Sequence, residues 1–239
     1  MQLLDLTMES IAEDLALDEA LLNESDRGEG PLEVLRLWEP HEVSVVVGRS
    51  SRVSDEVNLD VCHEMGIDVI RRSSGGGTIV AGPGCLMYSL VLSLQHRPSL
   101  RALDEAHRVV LGTTAAALDR LAPGTSMQGT SDLSVNDFKF SGNSMRMKQT
   151  HFLYHGTLLH SFPLPLIARL LKRPPREPEY RLGRDHTQFV KNIDATATQL
   201  RDALIRAWQP RSTRTHWPRE GVRQLMDQRY ARHAWHFRH

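Results

Sequence analysis

Residues 71–84 read RRSSGGGTIVAGPG, two arginines and three consecutive glycines that run into a β-branched segment and then into the apolar stretch CLMYSLVLSL (85–94). A glycine-rich loop announces a nucleotide fold only with the right continuation. No Gly-Lys-Ser/Thr follows, so the stretch is not a P-loop. The residues after Gly77 are strand formers rather than the start of a helix, so it is not a dinucleotide fingerprint. Glycines at such a corner are consistent with a plain turn or bulge between strands. Arg71 and Arg72 supply a second reading, because backbone N–H groups at a glycine corner, beside a guanidinium that holds carboxylate or phosphate bidentately, form an anion pocket.

The flanking segments extend this strand-and-corner pattern. Ser10 and Glu13 form a capping-box pattern that predicts a helix over 10–23, with Glu13, Asp14, Asp18 and Glu19 on its wet face. LEVLRLW (32–38) and VSVVVG (43–48) flank a proline-containing connection and read as two antiparallel strands. A short helix over 58–65 stops at Gly66, and a strand follows over 67–72. After the glycines come a TIV strand, a Gly-Pro turn and the strand at 85–94. Residues 99–121 carry a long helical pattern with Leu100, Leu103, Ala106, Val109, Val110, Ala115 and Leu118 on its apolar side. In DLSVNDFKFSG (132–142) the Asn-Asp pair predicts a tight hairpin. A strand over 151–162, helices over 164–172 and 194–208, and a helical tail around 219–232 complete the chain, with a polar, proline-rich loop before residue 186. Strands joined by hairpins with helices laid on them predict an α+β fold with a mostly antiparallel or mixed sheet, in one domain over 1–239.

Charge narrows the function. Lys+Arg and Asp+Glu are both 29, so no overall field draws the chain to nucleic acid or an anionic membrane, and any cationic function is local. The N-terminus has no basic n-region and the longest apolar run is too short to span a bilayer, which predicts a soluble, cytoplasmic protein. Cys62 and Cys85 lack metal-like spacing and read as buried thiols.

Two further stretches carry chemistry. Alternation along the 138–142 strand puts Phe138 and Phe140 toward the core, so Lys139 and Ser141 face outward or into a cleft. A lone strand lysine is commonly a solvated edge charge, but Ser141, Gly142, Asn143, Ser144 and Arg146 continue it with small polar and cationic residues suited to a polyanion. In HGTLL (155–159), His155 reads as a satisfied core histidine, with no carboxylate or thiolate at metal spacing. His233, His236 and His239 read as surface residues.

Together, LALDEALL (15–22), LRLWEP to VVVGR (35–49), EVNLDVCHEMGIDVIRRSSGGGTIV (56–80), SDLSVNDFKFSGNSMR (131–146), YHGTLL (154–159) and the aromatic tail RYARHAWHFRH resemble the lipoate–protein ligase A family. The resemblance implies a core like that of class II aminoacyl-tRNA synthetases and biotin ligases. It also implies a two-step reaction: lipoate and ATP give lipoyl-AMP, and a lysine of a lipoyl-domain or glycine-cleavage H-type carrier protein then takes the acyl group. Carried over by position, Lys139 is the essential lysine. Arg72, Gly75, Gly76, Gly77, Thr78, Ile79 and Val80 contact the adenylate, with Ser141, Gly142 and Arg146 close by, and Asp132 is an acid near the lysine and Mg²⁺. The resemblance gives no counterpart to the small C-terminal domain of many such ligases, which leaves room for a separate accessory subunit or for a weak or missing activation step. An ATP-independent octanoyl- or lipoyltransferase is the alternative, and a non-catalytic lipoate- or carrier-binding module is the third reading. Such transferases form a thioester on a cysteine, and neither region where they carry it has one here. Ala81-Gly82 stand where the family typically has His-Asp, and Cys85 where an asparagine is common, which predicts a pocket of altered polarity.

Overall fold

The apolar run after the glycines becomes the spine of the molecule. In the computed structural model, which describes residues 1–30 and 32–239, the strands are β1 (Gln2–Asp5), β2 (Val34–Trp38), β3 (Ser44–Val47), β4 (Asp68–Arg71), β5 (Ile79–Ala81), β6 (Cys85–Ser93), β7 (Ser126–Gln128), β8 (Asp132–Val135), β9 (Phe138–Met147), β10 (His151–Leu159) and β11 (Ser212–Thr213). Eight of them form a sheet in the order β11-β1-β2-β6-β10-β9-β8-β7, and β4-β3-β5 form a second, smaller sheet. Every residue of β6 and of β10 is buried, as expected of central strands covered on both faces.

The helices are α1 (Ile11–Asp26), α2 (Val53–Glu56), α3 (Leu59–Glu64), α4 (Leu103–Leu118), α5 (Pro165–Leu170), α6 (His186–Phe189), α7 (Ala197–Trp208), α8 (Arg219–Leu225) and α9 (His233–His236). One face of the large sheet packs on α1, α8 and the small sheet, through Leu17, Leu21, Val34, Met87, Val91 and Val45. The other face packs on α4 and α7 through Leu86, Leu90, Tyr154, Val110 and Leu204. The predicted α+β class with mixed sheets and flanking helices is what forms. Among the described residues no helix is long and apolar enough to cross a membrane.

Ser10 caps α1 in a reciprocal capping box with Glu13, and Asn136 and Asp137 both take positive φ, 49° and 62°, in the β8–β9 hairpin, the geometry of a type I′ turn. Several expectations fail for tertiary reasons. β2 and β3 do not pair: β2 lies between β1 and β6, whereas β3 pairs with β4 and β5. β2 is buried on both faces, so it belongs inside the large sheet, and the connection through Pro40 carries the chain to the other layer. Asp14, Asp18 and Glu19 are each 1% exposed and form no wet face; arginines from distant segments, the buried Arg36 and the partly buried Arg146 and Arg229, pair with them. Leu103 is exposed at the first turn of α4. Phe140 is in the core, but Phe138, next to the turn, lies under Arg184 and Lys191 instead.

Candidate active site

A cleft opens where the β8–β9 hairpin meets the glycine loop. β8 and β9 pair with a register shift between Leu133 and Ser134, which sets Asp132 opposite Gly142 and Ser134 opposite Lys139. On the other side, the Lys139 carbonyl accepts the Lys191 N–H at 2.9 Å. The lysine backbone is therefore held from both sides. Its Nζ lies 2.7 Å from Asp132 Oδ1, and Asp132 Oδ2 accepts the Tyr180 hydroxyl at 2.9 Å. Burial, followed by the Asp132 charge, raises the Tyr180 pKa, so the phenol stays a donor.

The glycine loop is built around Arg72. Its side chain is 6% exposed, and burial lowers its pKa to about 10, which leaves it charged at neutral pH. The guanidinium donates to the carbonyls of Val46 and Gly77 at 3.1 and 2.8 Å, to that of Gly75, and to Ser74 Oγ at 3.1 Å. Ser144 Oγ also donates to the Gly75 carbonyl, and Ser51 Oγ to that of Gly76. Among the described residues, the N–H groups of Gly75, Gly76 and Gly77 find no protein acceptor, although all three carbonyls are engaged. Unpaired N–H donors at a glycine-rich corner are what an anion cradle requires. Glycine is needed where the loop is crossed: a Cβ on Gly48 would sit 1.9 Å from the Gly76 carbonyl oxygen. Glu56 closes the loop by accepting the Thr78 N–H and hydroxyl at 2.8 and 2.7 Å.

The cleft has two compartments that share Gly77, Thr78, Ile79, Ser131, Asp132, Lys139, Gly142 and Thr157. The larger, ≈ 400 Å³, adds Val80, Ser141, Leu171, Lys172, Arg176, Arg181 and Phe189. The smaller, ≈ 140 Å³, adds Leu15, Val46, Arg72, Gly76, Met87 and His155. Lys139 and Asp132 stand at the junction.

Of the residues singled out in sequence, Lys139, Asp132, Gly77, Thr78, Ile79 and Gly142 line both compartments, Val80 and Ser141 the larger, Arg72 and Gly76 the smaller. Gly75 and Arg146 line neither. Gly75 supplies a carbonyl to Arg72, and Arg146 pairs with Glu19 at 2.7 Å. Ala81 and Cys85 are fully buried in the core, and Gly82 is packed so closely that a Cβ would lie 2.9 Å from Val43. The residues that depart from the family pattern are therefore outside the cleft, and the expected change in pocket polarity does not follow from them. His155 is buried as expected, but His236 is not at the surface: its Nδ1 accepts the Arg71 N–H at 3.0 Å. Arg71 itself is buried and ties the Gly48 and Ser51 carbonyls to that of His236.

The donor set does not make a protein-held magnesium site. Both Asp132 oxygens are taken by Lys139 and Tyr180, and among the described residues no group of three or more His, Cys, Asp or Glu side chains could hold a metal ion. Asp132 is the counter-ion of Lys139 here, and a magnesium ion would have this carboxylate and the substrate phosphates, rather than a protein cage, to hold it. Sequence reasoning did not single out Glu56, Arg176, Arg181 or Thr157. Their segments carry no periodic pattern, and only the strand position of Thr157, two residues after His155, was a usable clue.

The frame is therefore a glycine-rich loop and a strand lysine on the walls of one cleft, on a mixed sheet covered by helices. The sequence pattern of the lipoyl protein ligase A/B catalytic domain matches residues 10–216, and the chain belongs to that family. A protein of Aeropyrum pernix named as a lipoate-protein ligase A is 32% identical over 157 residues, 66% of this chain and 56% of that protein. The chain thus spans little more than half of that relative. The octanoyltransferase LipM of Carboxydothermus hydrogenoformans is 25% identical, with 95% of this chain and 94% of that protein covered. Among solved structures, the bipartite lipoate protein ligase of Thermoplasma acidophilum superposes with a TM-score of 0.83 at 25% identity, covering 99% of this chain and 95% of that one. A lipoate-protein ligase A bound with ATP superposes with a TM-score of 0.77 at 25% identity, covering 99% and 98%.

Proposed function

We propose that the chain is the catalytic domain of a lipoate–protein ligase, which joins lipoate to ATP as lipoyl-AMP, releasing pyrophosphate, and passes the acyl group to a lysine amine of a lipoyl-carrier protein. The observation that carries this reading is Lys139 at the junction of two compartments of unequal size, which share Gly77 of the glycine loop with it. The small compartment, with Leu15, Val46 and Met87 on its walls, suits a slender acyl chain. The large one, with Lys172, Arg176 and Arg181, suits a nucleotide. Their junction is where an acyl carboxylate meets an α-phosphate.

Negative charge builds on phosphate during activation and on the carbonyl oxygen during transfer. A fixed ammonium and preoriented N–H donors stabilise both without reorganising. Asp132 and Tyr180 hold the lysine tip, while Arg72 and Glu56 hold the loop. A charged substrate can displace Asp132 from Lys139 because that pair is partly open to solvent, 27% and 12% by side chain.

The thioester alternative is disfavoured by the two thiols. Cys62 and Cys85 are both buried in the core outside the cleft, and burial raises both pKa values, whereas a nucleophilic cysteine needs an accessible thiolate. The acceptor is proposed as a lipoyl domain or a glycine-cleavage H-type carrier, with a separate accessory subunit where activation needs one. The compartment of action is proposed as the cytoplasm. The test is incubation with lipoate, ATP and Mg²⁺ followed by mass spectrometry: lipoyl-AMP is expected. Absence of both lipoyl-AMP and lipoylated carrier, with carrier and any accessory subunit present, would overturn the reading.

A further inference from the structure

His155, 7% exposed, lies on β10 at the wall of the small compartment. Its Nδ1 is 3.4 Å from Asp18 Oδ2 and its Nε2 is 2.6 Å from Ser74 Oγ. Asp18 also accepts from Arg36 at 2.7 Å and from Ser89 at 2.6 Å. Burial works to raise the Asp18 pKa, but Arg36, His155 and Ser89 outweigh it and hold the value low. An acceptor-only carboxylate fixes the imidazole proton on Nδ1, which leaves Nε2 to accept the Ser74 hydroxyl. Ser74 Oγ then accepts Arg72 Nε–H at 3.1 Å, and the rest of that guanidinium takes the Val46, Gly75 and Gly77 carbonyls. Along Arg72, Ser74, His155 and Asp18 each donor meets one acceptor, from the glycine loop to α1.

We infer that His155 is a positioning residue for acyl-adenylate formation: through Ser74 it sets the Arg72 guanidinium, which ties down the Gly75 and Gly77 carbonyls and so leaves the N–H groups of Gly76 and Gly77, at the cleft, free for the substrate anion. The Asp18–His155–Ser74 order is that of a hydrolytic triad, yet Ser74 is 1% exposed and its oxygen already accepts from Arg72, so it serves as a link and not as a nucleophile. The inference rests on the ligase reading.

The test compares His155→Gln, His155→Asn, Ser74→Ala and the His155→Asn/Ser74→Ala double variant in lipoate-dependent ATP–pyrophosphate exchange, with amide hydrogen exchange over residues 74–78 as a second readout. A glutamine amide ends near the Nε2 position and still accepts from Ser74, so His155→Gln keeps most of what His155→Asn loses. An asparagine amide ends near Nδ1 and keeps only Asp18, so His155→Asn loses about tenfold in kcat/KM, the scale of one hydrogen bond. The loss falls on kcat and on the lipoate KM. Ser74→Ala matches His155→Asn, and the double variant is no worse than either, as expected for one chain of contacts. Loop amides exchange faster in the Asn and Ala variants and not in the Gln variant. Equal Gln and Asn variants, additive losses, or an undisturbed loop would overturn the inference. A wild type without exchange activity would instead overturn the ligase reading, and the loop amides would still decide the role of His155.

Discussion

The Arg36–Asp18 and Lys139–Asp132 ion pairs are both 2.7 Å long. Their surroundings differ. Arg36 and Asp18 are 0% and 1% exposed by side chain and share their site with Asp14, so no solvent or substrate can compete for them, and the pair pins α1 to β2. Lys139 and Asp132 face the cleft, and an incoming anion can replace the carboxylate. Taking two charges out of water is costly and is recovered only when every remaining donor is met. The buried cluster meets most of that condition through the Asp14 and Leu6 carbonyls and Ser89, while Arg36 Nε finds no partner among the described residues. The open pair keeps its lysine available. On the proposed reading, similar geometry therefore marks scaffold in one place and chemistry in the other, and burial is what separates them.

That contrast can be broken by substitution. Lys139→Ala should lower lipoyl-AMP formation by about 10²–10³-fold, the usual loss for one preorganised oxyanion donor, with the urea unfolding midpoint unchanged. A variant that also unfolds early would make Lys139 a scaffold residue. Arg36→Met should do the reverse and destabilise the fold by about 3–5 kcal/mol, because Asp14 and Asp18 are left buried without their cation. Urea denaturation reads this directly, and a neutral result would mean that the cluster is dispensable. Gly156→Ala sharpens the boundary between the two regions, since its Cβ would lie 1.7 Å from Asn143 Oδ1 beside the small compartment. The expected cost is about 1–3 kcal/mol together with a higher lipoate KM; an unchanged KM would place the acyl chain elsewhere.

The smallest effect is a pH slope. Burial, opposed by Arg36, raises the Asp14 pKa to about 6 from 3.8. Between those values the folded state holds a proton that the unfolded chain has lost, so the Asp14 contribution to stability falls as pH rises through this window. Asp18 and Glu19, whose arginine partners outweigh burial and lower their pKa values, act in the opposite sense: their contribution is present above the ordinary carboxylate range and is lost as pH falls below it. The stability of Asp14→Asn relative to wild type should therefore improve from pH 4 to above pH 6, as followed by urea midpoints. A flat difference would contradict the assignment.

The α+β class, the glycine corner, the β8–β9 turn and Lys139 were legible because each rests on local pattern: strand formers after Gly77, positive-φ residues at 136–137, alternation around Phe140. The buried acids were not. Asp14, Asp18 and Glu19 fall among apolar residues much as a solvent face would, and their partners Arg36, Arg146 and Arg229 come from remote segments. One clue was present, an arginine at the centre of the apolar strand LEVLRLW. The far wall of the cleft, from Lys172 to Phe189, lies mostly in a proline-rich loop with no periodicity to read. His236 was misjudged because neighbouring arginines suggested solvent, while the tail in fact folds back on Arg71.

The central claim is that Lys139 activates a carboxylate with ATP at the junction of the two compartments. Lipoate-dependent ATP–pyrophosphate exchange tests it most directly. The account predicts exchange by the wild-type chain, with accessory subunit added where needed, and its loss in Lys139→Ala at unchanged fold stability. Undiminished exchange in Lys139→Ala, or acyl transfer from an octanoyl-carrier protein without ATP by a chain that shows no exchange, would contradict it.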